Sequence, residues 1–373
     1  MESSTHRLVS LAEELVKRGN EVSIVLPSFD RHSGFEKQKL DCFHGVRLVQ
    51  PYQPKIRKVE LSMMPYIFSS FVKEFGETYD VVHILKPLPI NCAPYLMKPL
   101  KNTPIVQDMD DLEHNVLIME KHPSSSVKLA EYCERVLPRL ADHITTCSSS
   151  LKKIYVNMGF DEERITWLPN GVKTSEFNVS SQSSLKVKFG LKDKVVVYLG
   201  WMNNRFQVYP LIRAMELVTK QRSDVSCMII GDGSARPFFE QLSKNLHLSD
   251  YIKFVGYVPY ADVPEYLSIC DIGFACCPQP LTSTGGALKV FMYMASGMPV
   301  IVDEAGDLPY YIDYGNAGIV SRLDPVSLSK SLLELVGNGE LRRKKGAHAK
   351  EYVRQNFDWE ILTDKLVSVY ESL

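Results

Sequence analysis

Short apolar runs rich in β-branched residues alternate with amphipathic helical stretches along most of the chain, and this rhythm narrows the fold more than any other feature. The runs in the first half are "EVSIVLP", "VRLVQP", "VVHIL", "PIVQDM", "HITTCS" and "ITWLP". Those in the second half are "KVVVYLG", "SCMIIGD", "IKFVGY", "IGFACC", "PVIVD" and "AGIVS". Several are apolar throughout, as strands covered on both faces must be. Helical periodicity fills the intervals at "PSSSVKLAEYCERVLPRLA", "VYPLIRAMELVTKQ", "ARPFFEQLSKNL", "DVPEYLSI" and "SLSKSLLELVGN". Alternation of this kind predicts an α/β protein with parallel, doubly wound sheets. A chain of 373 residues is too long for one ordinary core, so one sheet per half is expected. The polar stretch "NGVKTSEFNVSSQSS" (170–184) is the candidate linker between them.

The chain opens on a helix. Leu8, Leu11, Ala12, Leu15 and Val16 share one face, and "RGN" ends the helix before the first strand. An α/β domain normally begins with a strand, so a strand and its loop are expected ahead of Met1. The tail "FDWEILTDKLVSVYESL" reads as a last amphipathic helix that follows no strand. A formal net charge of −1 gives no support for wholesale nucleic-acid binding. The eight cysteines are scattered without a C-x-x-C pair, which predicts reduced thiols in a cytoplasmic protein and no zinc site. No apolar run reaches the length of a membrane span, and no secretory signal opens the chain.

Ligands in such sheets bind beyond the carboxyl ends of the strands, so the loops there hold the candidate chemistry. "TSTGGALKVFMYMASG" (282–297) reads as a helix that begins by gripping an anion: Gly285 and Gly286 allow close approach, and the first-turn amides of the helix face the ligand. This stretch holds no carboxylate, so it offers no anionic acceptor for a hydroxyl. Gly231 and Gly233 of "GDG" read as a tight turn after a strand. In "IVQDMDDLEHN", Asp110 and Asp111 stand at a strand end and could bind hydroxyls, or they belong to a solvated acidic loop capping the next helix. His83 also ends a strand, where a satisfied hydrogen-bonding role competes with a functional one. The segment "QPKIRKVELSMMPYIFSSFVKEF" (53–75) sets Lys55, Arg57 and Lys58 beside Met63, Met64, Tyr66, Ile67 and Phe68. It fits peripheral contact with an anionic membrane or, alternatively, a core helix with a basic shoulder.

The order and spacing of "ITTCSSSLKKIYVNMGFDEERITWLPNGVKTSEF", "IIGDGSARPFFEQLSKNLHLSDYIKFVGYVPYADVPEYLSICDIGFACCP" and "LTSTGGALKVFMYMASGMPVIVDEAGDLP" resemble the GT-B glycosyltransferases, especially retaining family 4. The likeness covers nearly the whole chain. It implies two Rossmann-like domains facing across a cleft, the first lacking its opening strand: an acceptor-side domain at 1–174, a nucleotide-sugar domain at 175–355, and a closing helix at 356–373 returning to the first. It implies a nucleotide-diphosphate sugar donor, UDP- or GDP-linked, with no cofactor and no metal, and a glycan, lipid-linked or small-molecule acceptor. Gly285, Gly286, Ala287 and Leu288 match the turn whose amides hold the donor diphosphate, fixed dipoles replacing a cation. Gly231 and Gly233 match the turn bordering the nucleotide, Val258 in "GYVP" a segment touching the base, and Asn170–Gly171 an interdomain turn. Asp110 and Asp111 stand where the family often has a histidine and an aspartate. Asp108-x-Asp110 also resembles, weakly, the metal-binding pair of the other glycosyltransferase fold.

The departures concern side chains. The family usually carries two glutamates eight positions apart, one reading the sugar and one the ribose; the matching positions here are Thr284 and Met292. A hydroxyl can still bond weakly, whereas a thioether is a poor acceptor. After "VVVYLG" the family commonly places an arginine and a lysine against the diphosphate; this chain has "WMNNRFQ", with Arg205 as the nearby cation. Two readings follow: a metal-independent retaining sugar transferase, located in the cytoplasm or peripherally on the inner membrane face, and a catalytically weakened or inactive relative that binds a nucleotide sugar or supports a partner enzyme. A nicotinamide dehydrogenase would need an early G-x-G-x-x-G, which "GDGSAR" does not supply.

Overall fold

The computed structural model of the chain describes residues 3–25, 42–49, 67–69, 76–180, 183–202, 208–277 and 287–373. The chain forms two compact α/β units, Met1–Asn170 with Trp359–Leu373, and Gly171–Asp358. All twelve runs predicted as strands contain one.

The first unit holds β1 (Ser23–Val25), β2 (Cys42–Phe43), β3 (Val46–Val49), β4 (Val82–Leu85), β5 (Ile105–Met109), β6 (His143–Thr146) and β7 (Ile165–Trp167). β4, β5, β6 and β7 lie side by side in that order, all parallel, with β5 and β6 buried at every position. Complete burial explains why these strands are apolar or internally hydrogen-bonded throughout rather than alternating. β1, β3 and β2 form a separate small sheet, β1 parallel to β3 and β2 antiparallel to it. The opening helix (Ser3–Lys17) uses its apolar face twice. Ala12 packs with Ile24 and Val46 of the small sheet, while Leu11 packs with Leu168 and with Trp359, Leu362 and Leu366 of the closing helix (Trp359–Glu371). Arg18 ties the same two helices through Asp364 Oδ1 at 2.6 Å and the Glu360 carbonyl at 2.7 Å.

The second unit holds one parallel sheet of β8 (Lys194–Leu199), β9 (Val225–Ile230), β10 (Ile252–Gly256), β11 (Ile272–Ala275), β12 (Val300–Val302) and β13 (Gly318–Val320). Their spatial order is β10-β9-β8-β11-β12-β13. The chain winds outward from β8 in one direction, returns to the middle and winds outward from β11 in the other. This is the Rossmann-type order, and β8 and β11 flank its topological switch point. Val196, Tyr198, Leu211, Ile212, Met215, Ile229, Phe274 and Leu332 are among the fully enclosed residues of its core. Among the described residues, six helices that the sequence reading did not single out add to the covering layers: Ala93–Lys101, Glu113–Met119, Ser149–Asn157, Ser183–Lys188, Leu308–Tyr314 and Gly339–Asn356.

Candidate functional site

In the first unit, the carboxyl ends of β4, β5 and β6 carry a buried polar network. Arg7, on the opening helix, is 0% exposed, and Asp108, on β5, is 1% exposed. The guanidinium grips the carboxylate bidentately, Nε to Oδ2 at 2.7 Å and Nη2 to Oδ1 at 3.0 Å. Its remaining Nη1 donates to the Pro169 carbonyl at 2.9 Å, which joins the opening helix to the end of the unit's main run of chain. Thr145 Oγ1 donates to Asp108 Oδ1 at 2.7 Å, and His83 Nε2 lies 3.5 Å from Oδ2. Burial alone would lower the pKa of Arg7, but the Asp108 charge and hydrogen bonds outweigh it and raise it. Asp108, although desolvated, is held well below the usual carboxylate range by Arg7 and His83. With both oxygens committed, Asp108 is unlike half of a metal-binding pair, and among the described residues no group of three or more His, Cys, Asp or Glu could hold a metal ion.

The sequence-predicted carboxylates follow directly. Asp110 is 2% exposed, and its carboxylate accepts from Ser4 Oγ while its carbonyl accepts from the Cys147 thiol. Asp111 is partly exposed. Lys86, at the end of β4, pairs with Glu113 at 2.9 Å; burial opposes its charge, but Glu113 and Asp110 outweigh burial and raise its pKa. His83 Nδ1 is 2.8 Å from the Tyr370 hydroxyl, so this histidine links β4 to the closing helix.

In the second unit, the strand tips converge on the switch point. Gly200, with φ +151°, follows β8, and its amide donates to the Ile230 carbonyl at 2.9 Å. Gly231, with φ +130°, follows β9 so closely that a Cβ there would lie 2.0 Å from the Gly200 carbonyl oxygen. The first glycine of "GDG" therefore has a packing reason of its own. Gly233 is also in the positive-φ region, and Val258 is 9% exposed just past β10.

The helix Leu288–Ala295 is fixed against these tips. The Tyr293 hydroxyl accepts from the Leu199 amide at 2.6 Å, and the Tyr293 ring lies over Gly273 of β11, where an added Cβ would meet it at 2.4 Å. Ala287, 4% exposed, precedes the first turn, and its carbonyl accepts from the Phe291 amide at 3.0 Å; Leu288 is partly exposed. Met292 is 4% exposed, a buried residue at the position where the resemblance implied a ribose-reading glutamate. Beyond β11, both carboxylate oxygens of Asp303 accept from the Cys277 amide, at 3.3 and 3.2 Å.

One residue here escaped the sequence reading. Lys289, in the first turn of the helix, lays its ammonium on the tip of β8: a Cβ on Gly200 would lie 2.6 Å from its Nζ. Nζ stands 4.6 Å from the centre of the Tyr198 ring. Desolvation lowers its pKa, opposed by Cys276 and Cys277 at the end of β11. A lysine breaking an otherwise apolar helix start was the available signal. Of the other predicted positions, Arg205, Thr284, Gly285 and Gly286 lie outside the described residues, as does 53–75 except for residues 67–69 and their buried Ile67 and exposed Phe68.

Two parallel-sheet units, the second with Rossmann order and a helix starting at its switch point, define a GT-B protein. The family model for glycosyl transferases group 1 matches residues 181–352, and that for glycosyltransferase family 4 matches residues 5–176. The chain belongs to the family-4-like glycosyltransferases of the GT-B fold. Among curated proteins it is 29% identical over 217 residues to a GDP-mannose-dependent monoacylated alpha-(1-6)-phosphatidylinositol monomannoside mannosyltransferase of Corynebacterium glutamicum, a match covering 55% of this chain and 55% of that protein. It is 23% identical over 302 residues to the N-acetyl-alpha-D-glucosaminyl L-malate synthase of Bacillus anthracis, covering 80% of this chain and 74% of that one. Anabaena HepE, solved in complex with UDP-glucose, superposes with a TM-score of 0.77 at 18% identity, covering 99% of this chain and 96% of that chain. Among the described residues, no helix is long and apolar enough to cross a membrane.

Proposed function

We propose that the protein transfers a sugar from a nucleotide-diphosphate donor to an acceptor hydroxyl with retention of configuration and without a metal. The observation that carries this reading is the start of the helix Leu288–Ala295 at the switch point between β8 and β11, the place where open parallel sheets bind nucleotides. Amides at 285–288 hold the diphosphate, with Thr284 bonding a sugar hydroxyl. Gly231, Gly233 and Val258 border the nucleotide, and Arg205 offsets leaving-group charge. Asp110 and Asp111, at the end of β5, orient acceptor or sugar hydroxyls. The nucleotide sugars named for related proteins, UDP-glucose in the HepE complex and GDP-mannose in the name of the Corynebacterium enzyme, support UDP or GDP as the carrier. That enzyme's phosphatidylinositol monomannoside substrate supports a lipid-linked acceptor at a membrane surface, with 53–75 as the contact. Incubation with a panel of nucleotide sugars and lipid extracts, followed by mass spectrometry, tests the proposal. A mass increase of one sugar on an acceptor, or slow donor hydrolysis, is the expected result; neither one, for any donor, rejects it.

Buried Met292 favours a second reading, a relative that binds a nucleotide sugar without turnover. Calorimetric binding of the nucleotide combined with no product in the same panel would select it.

A further inference from the structure

The donor site, as read above, requires a positive charge where the diphosphate departs. In the sequence after β8 and after β11, positions 200–208 and 276–287 contain no aspartate or glutamate. The loop after β9 has Asp232, whose carboxylate is engaged by Arg236 at 3.1 Å, and the loop after β12 has Asp303, whose two oxygens accept from the Cys277 amide. Among the described residues, no ion pair joins Lys289. Lys289 is partly exposed, yet its ammonium lies at the tip of β8 against Gly200 and 4.6 Å from the centre of the Tyr198 ring, with the thiols of Cys276 and Cys277 near enough to act on its charge. Burial pushes the Cys276 thiol up to about 12, so it is neutral at physiological pH and does not offset the charge. A partly desolvated cation that has no ion pair of its own among the described residues is available to an anion at the same strand tips. Gly200 keeps the space open, since any side chain there would collide with Nζ.

We propose that Lys289 is a cation that binds the donor's diphosphate at the switch point, reaching the phosphate oxygens from the first turn of its helix. This rests on the donor reading above and adds Lys289 to Arg205 as a second cation for the diphosphate. During transfer, the bond between the sugar's anomeric carbon and the distal phosphate oxygen breaks, and its electron pair stays on that oxygen. The acceptor oxygen bonds to the same carbon, and the acceptor proton passes to the leaving diphosphate. Lys289 keeps its proton and stabilises the charge gathered on the phosphate.

The test is calorimetric titration of the full chain and of Lys289→Met and Lys289→Arg with UDP, GDP, UMP and GMP, each variant first matched to the parent by circular dichroism and melting temperature. The parent is expected to bind one diphosphate more tightly than its monophosphate. Lys289→Met is expected to weaken that diphosphate at least about ten-fold while leaving the monophosphate within about two-fold, as for a lost charge-assisted bond. Lys289→Arg is expected to restore most of the preference. A folded Lys289→Met that keeps the parent's preference for the diphosphate overturns the assignment while leaving the donor reading intact. A parent that binds neither diphosphate overturns both.

Discussion

Arg7 and Asp108 stand 101 positions apart in sequence and form a buried two-pronged ion pair, Nε–Oδ2 2.7 Å and Nη2–Oδ1 3.0 Å, that fastens the opening helix to β5. Removing one partner leaves an uncompensated charge in the interior, which costs about 3–5 kcal/mol. Arg7→Met and Asp108→Leu should each lower the unfolding free energy by that order, read as a fall in the urea midpoint. The double variant should lose clearly less than their sum, because its cavity holds no orphaned ion. Full additivity in urea unfolding would mean that the pair contributes no coupling.

Acid should loosen the first unit in two separate windows. Burial depresses His6 from 6.5 to about 4, so the unfolded chain takes up a proton there before the folded one does. The stability contributed by neutral His6 is complete above about pH 6.5 and is lost as pH falls toward 4. Asp108 is also depressed; its contribution is present above the ordinary carboxylate value near pH 4 and disappears only as pH falls through the lower folded value. Melting temperatures of the parent, His6→Asn and Asp108→Asn between pH 8 and 3 should show the first variant flattening the upper window. The parent's advantage over the second should stay constant to about pH 5 and shrink below about pH 4.

Gly231 and Gly159 both have positive φ, at 130° and 84°, but only Gly231 is crowded. Gly231→Ala would drive its Cβ to 2.0 Å from the Gly200 carbonyl, whereas nothing lies within 4 Å of a Cβ on Gly159. Gly159→Ala should therefore cost only the backbone term, about 1–2 kcal/mol. Gly231→Ala should cost more than about 4 kcal/mol or fail to fold. Equal midpoints for the two variants would show that the tips of β8 and β9 can separate freely.

Met292 gives the ribose no carboxylate to bond. If UDP or GDP binds, its 2′-deoxy form should bind within about three-fold of it, since only a neutral or solvent-shared hydrogen bond is lost. A charged acceptor would discriminate by about ten-fold or more. Calorimetry with the paired nucleotides decides between these.

The strands were legible because burial on both faces leaves an apolar signature that needs no partner to interpret. "VVVYL" and "CMII" could be little else. The helix Gly339–Asn356 was not legible, because only Gly346, Ala349 and Val353 are buried and charged residues crowd the rest. β2, two residues long, offers too short a pattern to read. At the site, the glycines at strand tips announced themselves, but Lys289 did not. Its meaning depends on Gly200 and Cys276, residues 89 and 13 positions away that only the sheet order brings to one place. Arg7 was hidden for the same reason: a lone arginine on an amphipathic helix reads as a solvated charge until β5 supplies its aspartate.

Because Trp359–Leu373 belongs with Met1–Asn170, the half of the molecule that leaves the ribosome first is the half that is finished last. Gly171–Asp358 is continuous and can reach its final packing while the closing helix is still being made. Until then Leu11 and Leu168 have no Trp359, Leu362 or Leu366 to cover them, so the nascent chain carries an open greasy seam of the kind that chaperones bind.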